Sequence, residues 1–333
     1  VVIDASDLPS GITLSWVGGE ENPARVLAVY GDLTLTNVSV SGGWSVAEEI
    51  PSEDQPWTLA RGGGVAGWGV ARLVDCELYD NHAVGDFASS RDRGAFGGGL
   101  YADIVDMESC VVSGNSVLGG GAAGGGVFSV GGARSTRRVS YIEGSSITGN
   151  RISALFTYGG GVYSDGGGIG NNKELSVTNT TVARNIVEPA PGMPAFILSM
   201  GYWRGGGIYS SNGSLTVKGS TVVENEVHGV PRTDDLGKPN LAGGIAATIG
   251  NAHAIEDMFI GHSGVAGNTV HEIGGGSYDH DLFTGSTFYF RSLGYNRIGV
   301  IDFSQMLAPV GNRPWASLCR RQYPQQGDED GVD

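Results

Sequence analysis

Two segments of the sequence, LSVTNTTVARN at 175–185 and LTVKGSTVVEN at 215–225, share one pattern of residue types. The pattern, L-x-V-x-x-S/T-x-V-x-x-N, returns along most of the chain and ends each time at one asparagine. These asparagines are Asn81, Asn115, Asn150, Asn185, Asn225 and Asn268, with Gly43 at the equivalent place in the first repeat. Repeats of about 20 to 50 residues are typical of solenoids and propellers, so this spacing decides the fold class.

Aligned on the asparagines, each column holds one kind of residue. Three residues earlier, the side chains are aliphatic: Val40, Leu78, Val112, Ile147, Val182, Val222 and Val265. Eight residues earlier, they are apolar: Leu35, Leu73, Met107, Ile142, Val177, Val217 and Ile260. Five residues earlier, they are small: Val38, Cys76, Cys110, Ser145, Thr180, Ser220 and Ser263. The alternation predicts strands, and the matching columns favour coils stacked in register over propeller blades. Asparagine suits a turn because it tolerates the left-handed conformation and can bond to the next coil.

A second motif, GGG followed by an aliphatic and an aromatic residue, begins at Gly97, Gly124, Gly159 and Gly205. Its aromatic column, Tyr101, Phe128, Tyr163 and Tyr209, is predicted to face outward. We expect loops to cover these rings rather than leave them as a sugar-binding platform. The 58 glycines occur in clusters rather than at every third position, which excludes collagen.

These patterns predict an all-β fold, a right-handed parallel β-helix of about seven or eight coils with capped ends. We expect one domain. Residues 1–30 would form the N-terminal cap and first coil, residues 31–284 the repeats, and residues 285–333 the C-terminal cap and acidic tail.

The net charge of -15, from 35 acidic and 20 basic residues, argues against nucleic-acid binding. No apolar run has the length of a membrane span, so we expect no membrane insertion. We also expect a monomer.

The stretch IDASDLPSGIT at 3–13, the GGG-x-Tyr and Gly-Asn repeats, and SLGYNRIG at 292–299 resemble secreted bacterial right-handed β-helix proteins with variable C-terminal anchors. The repeats are also similar to those of polymorphic outer-membrane proteins, although GGG replaces GGA and no phenylalanine stands three residues before the asparagine. The resemblance implies a secreted or cell-surface location and carries over no catalytic residue.

Segments between each asparagine and the next glycine cluster differ in length in an ordered way. They are long at 44–61 and 82–96, short at 116–123 and 151–158, and long again at 186–204 and 226–241. Long segments on both sides of two short ones predict a cleft, with Arg151 and Tyr158 on its floor. One wall would carry Trp44, Trp57, Arg61, His82, Asp86, Arg91, Asp92 and Arg93. The other would carry Phe196, Tyr202, Trp203, Arg204, His228, Arg232, Asp234 and Asp235.

Aromatic rings, arginines and carboxylates together suit an elongated polysaccharide or cell-surface glycan. Two kinds of cleavage are open. A polysaccharide lyase would use Tyr158 or His82 as base, and Arg151, Arg91 or Arg204 to stabilise charge. A glycoside hydrolase would use two carboxylates, such as Asp86 with Asp92 or Asp234 with Asp235.

The remaining candidates are binding residues and one cation. Trp57, Arg93, Tyr202, Trp203, Arg204 and Arg232 are the candidate substrate-binding residues. No motif demands a cofactor. Calcium is the candidate cation, with Asp86, Asp92, Asp234 and Asp235 as its ligands, but no ordered carboxylate motif supports it. A non-enzymatic adhesin or structural stalk is the alternative to polysaccharide binding.

Cysteines and histidines give two further expectations. Cys76 and Cys110 share a column in adjacent coils, where either a disulfide or two stacked buried thiols fits. Four histidines recur at intervals of nine residues, at His253, His262, His271 and His280. Their polar, glycine-rich surroundings indicate surface turns rather than a metal site.

Overall fold

The structure is a computed structural model, and its description covers most of the chain. The described residues are 1–47, 59–85, 94–130, 139–158, 162–165, 174–192, 202–211, 213–229, 242–248, 256–272, 276–279, 281–284, 288–299, 301–302 and 329–330. Within these ranges the regular elements are all strands, and they lie in three sheets.

The first sheet has 16 strands, which contain the aliphatic and aromatic residues after the glycine clusters and the first half of the asparagine motif. Its strands are Val2–Asp4, Leu27–Val29, Leu33–Thr36, Val65–Val74, Leu100–Glu108, Val127–Ser129, Val139–Glu143, Val162–Asp165, Glu174–Thr178, Ile208–Ser211, Leu215–Lys218, Ile245–Thr248, Glu256–Gly261, Leu282–Thr284, Phe288–Ser292 and Ile301–Asp302.

The second sheet has ten short strands, which hold the aliphatic residue three places before each asparagine. Its strands are Ile12–Ser15, Val38–Ser41, Glu77–Tyr79, Val111–Ser113, Ser146–Thr148, Thr181–Ala183, Thr221–Val223, Gly264–Ala266, Arg297–Ile298 and Glu329–Asp330. The first and the last two of these strands extend the stack beyond the seven aligned repeats.

The third sheet has 11 strands, seven of which begin directly after Gly43 or a ladder asparagine. Its strands are Trp44–Val46, Ala60–Arg61, His82–Val84, Ala95–Phe96, Ser116–Ala123, Arg151–Tyr158, Ile186–Glu188, Tyr202–Arg204, Glu226–Gly229, Thr269–Glu272 and Ser277–Asp279.

The molecule is a parallel β-helix, as the columns predict. Equivalent residues of successive coils are paired in register, for example Val112 with Leu78 and with Ile147. Both apolar columns are buried inside the solenoid, where they form one continuous hydrophobic cluster. No helix in the described part of the chain is long and apolar enough to cross a lipid bilayer.

The six asparagines form a buried ladder of side-chain amides along one corner of the solenoid. All six are 0% exposed. Each Nδ2 donates a hydrogen bond of 2.8 to 3.0 Å to the Oδ1 of the next asparagine, from Asn81 through to Asn268. Gly43 donates its N–H to Asn81 at one end, and Asp281 accepts from Asn268 at the other. The predicted bonding between coils is therefore confirmed.

The ladder asparagines are not left-handed, so the predicted left-handed conformation at these residues is wrong. The residue just before each one has the positive φ instead, as in Asp80 (φ 52°), Gly114 (64°), Arg184 (57°) and Glu224 (53°). A left-handed residue turns the chain and costs non-glycine residues about 1 kcal/mol or more. The asparagine that follows is selected for its buried amide, which serves as both donor and acceptor.

The column of small residues forms a second ladder at the corner between the first and second sheets. The backbone N–H of Ser145 bonds to Thr180 Oγ1, and that of Thr180 to Ser220 Oγ. Cys76 and Cys110 occupy this column as free thiols. Each Sγ bonds to a carbonyl two residues earlier at 3.2 Å, as the hydroxyls of this column do. A hydrogen bond to Cys76 and burial raise the pKa of the Cys110 thiol, so this thiol stays protonated at neutral pH.

The aromatic column is covered, as expected, wherever its side chains are described. Tyr101, Phe128 and Tyr209 are 7%, 5% and 3% exposed. The rings of Tyr101 and Phe128 stack at 5.5 Å, and Arg61 lies 5.4 Å from the centre of the Tyr101 ring. These rings stabilise the stack and are not open to a ligand.

We expect Asn185→Ala to lower the free energy of unfolding by about 3 kcal/mol or more. The substitution leaves the Asn150 amide group and the Ile147 carbonyl without their buried partner, and each such group costs about 1–3 kcal/mol. Thr181→Ala, at an exposed side chain of the same coil, is the control and should stay within about 0.5 kcal/mol of the wild type. Urea denaturation measures both; equal midpoints would contradict the role of the ladder.

Candidate functional site

The outward face of the third sheet carries the candidate site. Alternate residues of its strands point inward and form a buried apolar column: Ala83, Val117, Ile152, Val187, Val227 and Val270. The residues on either side of this column therefore face outward. They are the first and third residues after each ladder asparagine, and they repeat once per coil, about 4.8 Å apart.

At the N-terminal end of this face, three side chains from successive coils contact one another. Trp44 pairs with His82, and His82 pairs with Ser116, in the backbone register. The rings of Trp44 and His82 lie 4.4 Å apart between centres, and His82 Nδ1 lies 2.6 Å from Ser116 Oγ. All three side chains are half-buried, so their outer edges can reach a ligand.

Arg151 occupies the next position along the same column. It pairs with Ser116 in register, and its side chain is 52% exposed. One guanidinium nitrogen lies 3.3 Å from Glu188 Oε1, and Ser153 Oγ donates a 2.8 Å hydrogen bond to the same oxygen. Two partners thus hold the Glu188 carboxylate, while much of the guanidinium still faces solvent.

Beyond Arg151, the face ends in a carboxylate and two imidazoles. Glu226 Oε2 lies 2.7 Å from His228 Nε2 and 3.6 Å from His271 Nε2. The two imidazole rings are 4.4 Å apart between centres. His228 and His271 face the same way because they are paired in register on adjacent strands.

The ionisation of His82 follows from its position. Burial lowers the pKa of His82 below its ordinary value of about 6.5, and the nearby Asp80 carboxylate opposes this only in part. The imidazole is therefore neutral at neutral pH. A neutral ring can accept a proton or hydrogen-bond to a sugar hydroxyl.

The proposed catalytic residues are spread over this sheet. His82 and Arg151 share one outward column but lie on either side of Ser116, with backbones about 10 Å apart. Tyr158 is at the far end of the Arg151 strand, seven residues or about 23 Å along it. Its backbone pairs with that of Arg204. Arg91 lies outside the described residues.

The structure describes some of the other residues predicted for the cleft and not others. The short segments 116–123 and 151–158 are unbroken neighbouring strands. The backbones of Tyr202, Trp203 and Arg204 form a strand beside the second half of this floor. Outside the described residues lie Trp57, Arg93, Arg232, Asp86, Asp92, Asp234 and Asp235.

Four residues of this face were not among the sequence candidates: Ser116, Glu188, Glu226 and His271. A usable signal was present, because each stands one or three places after a ladder asparagine. The prediction of surface turns for the four regularly spaced histidines is only partly right. His262 is indeed an exposed turn residue with a positive φ, but His271 lies in a strand of the third sheet. His253 and His280 fall outside the described residues.

Comparison with known proteins gives no relative. No protein family model matches the chain, and neither curated proteins nor solved structures give a significant match.

We expect an NMR titration of the His82 ring to give a pKa below about 6.5, and Trp44→Ala to raise it by exposing the ring. The unfolded chain then binds a proton at this histidine before the folded chain does. Stability should therefore fall as the pH drops from about 6.5 to the folded pKa, and that contribution is complete above about 6.5. His82→Gln should lack this part of the pH dependence. An unshifted His82 pKa in the wild type would contradict the burial.

Proposed function

We propose that the outward face of the third sheet binds an extended, hydroxyl-rich polysaccharide at the cell surface or outside the cell. The observation that carries the proposal is the column Trp44, His82, Ser116 and Arg151, one side chain per coil. It combines a ring for stacking on a sugar face with a hydroxyl, a neutral imidazole and a guanidinium for hydrogen bonds. The extracellular location rests on the sequence resemblance alone.

The axial spacing supports a linear ligand. Because equivalent residues repeat about every 4.8 Å along the solenoid axis, the face offers regularly spaced contacts to a polymer lying along it. The side chains are already held in place by Trp44–His82, His82–Ser116 and Arg151–Glu188 contacts. A face ordered before binding loses less side-chain entropy when the ligand arrives.

Charge favours a neutral sugar polymer over a polyuronate. Among the residues one and three places after Gly43 and after each ladder asparagine, Glu188 and Glu226 are acidic, and Arg151 is the one lysine or arginine. Its guanidinium is already paired with Glu188. A carboxylate-bearing polymer would meet more negative than positive charge here, in a chain whose net charge is -15.

Geometry supports binding more than cleavage. A lyase needs a base and a charge-stabilising cation that converge on one sugar carbon, whereas His82 and Arg151 are about two coil spacings apart. A polymer long enough to lie across both residues would form contacts with both of them.

Binding can be measured by isothermal titration calorimetry with neutral and uronate oligosaccharides, with and without calcium. We expect a neutral oligomer to bind, and Trp44→Ala and Arg151→Ala each to weaken binding about tenfold or more. Arg184→Ala should bind as the wild type does, because Arg184 lies in the turn before Asn185, outside the outward columns of the third sheet, and pairs with Glu224. Melting curves show whether Trp44→Ala still folds.

No binding to any polymer would overturn the proposal and favour the stalk or adhesin. Preference for uronates would contradict the charge argument. Release of reducing ends or unsaturated products would show that the bound polymer is also cleaved.

A further inference from the structure

Glu226, His228 and His271 bring three metal-binding groups to one point on the third sheet. One ligand atom from each residue lies within 4.8 Å of the others. Glu226 and His228 are outward residues of one strand, and His271 is the register partner of His228 on the next. Such a set of atoms needs no movement of the backbone to surround a single ion.

We propose that these three residues bind a divalent transition metal ion, with zinc as the best fit. Two imidazoles and one carboxylate are a common zinc ligand set, and imidazole prefers zinc, copper or nickel to calcium or magnesium. This proposal does not depend on polysaccharide binding, and it differs from the calcium loops expected from the aspartates.

Distances between the donor atoms suit a tetrahedral ion. With metal–ligand bonds of about 2.0 to 2.2 Å, two ligand atoms lie about 3.3 Å apart. Glu226 Oε2 and His271 Nε2 are 3.6 Å apart, close to this separation. Glu226 Oε2 and His228 Nε2 are 2.7 Å apart, as in a hydrogen bond. If an ion replaces the hydrogen-bonding proton, Glu226 Oε2 and His228 Nε2 need to move apart only by about 0.6 Å.

A hairpin orients one of the two imidazoles. His271 Nδ1 lies 2.7 Å from the Ser277 hydroxyl, which belongs to the strand paired with that of His271. This pairing is antiparallel, unlike every other pairing between described strands. A partner at Nδ1 turns Nε2 towards Glu226 and His228, as the outer hydrogen bonds of metal-binding histidines do.

The ion would keep one open position. The three side chains are 34% to 39% exposed, so solvent reaches the site from outside the solenoid. Three protein ligands and one water make up a zinc centre that can polarise or activate its fourth ligand. At this end of the face, that ligand would be water or a hydroxyl group of a bound molecule.

The test uses the full chain, freed of metal with a chelator, and zinc titrated by calorimetry. We expect one zinc ion per chain and, with cobalt, the visible absorption of a low-symmetry site. His228→Gln, His271→Gln and Glu226→Gln should each weaken zinc binding by about 100-fold or more. Ser277→Ala, which removes only the positioning contact, should weaken it by about tenfold.

His262→Asn is the matched control. It removes an exposed histidine from a left-handed turn that asparagine tolerates, and zinc affinity should not change. Equal melting temperatures of the metal-free variants would show that each still folds.

Absence of saturable zinc and cobalt binding by the wild type would overturn the proposal. So would wild-type affinity in both His228→Gln and Glu226→Gln. Millimolar calcium that displaces zinc would contradict the assigned ligand chemistry.

Discussion

Buried asparagine amides hold successive coils together, and the rest of the solenoid depends on them. The Asn185 amide, for example, accepts from Asn150 in the preceding coil and donates both to Ile147 in that coil and to Asn225 in the next, so it satisfies buried polar groups on both sides. An unpaired buried amide is costly, which makes a shift of one residue between coils unfavourable. The ladder therefore fixes the register that lines up the aliphatic columns inside.

The same ladder positions the candidate site. The residue after each asparagine begins a strand of the third sheet, and its N–H bonds to the carbonyl of the preceding coil's ladder residue, as Arg151 does with Asn115. Inward residues of this sheet must remain apolar, whereas the outward ones are free to vary. A surface of Trp44, His82 and Arg151 at one end, and of Glu226 and two histidines at the other, is thus built on a constant scaffold.

The two ends of this face differ in the direction in which their side chains make contact. Near Trp44, contacts run along the solenoid axis between rings and hydroxyls of successive coils. Near His271, an antiparallel strand adds Ser277 to the edge and orients one imidazole. The first arrangement suits a long ligand that spans coils. The second suits a single ion, because its donor atoms converge on one point.

The sequence by itself determined the parallel β-helix and its register, since columns such as Val112, Ile147 and Val182 record the inward positions residue by residue. It also assigned His82 and Arg151 to one cleft, the first to a wall and the second to the floor. Only the tertiary structure decided that Asp80 and Glu224, rather than the asparagines, take the left-handed turns, and that Glu226 meets His271. A periodic pattern encodes which way a side chain points. Contact between side chains depends also on coil stacking and on the hairpin at the end, for which the repeat has no signal.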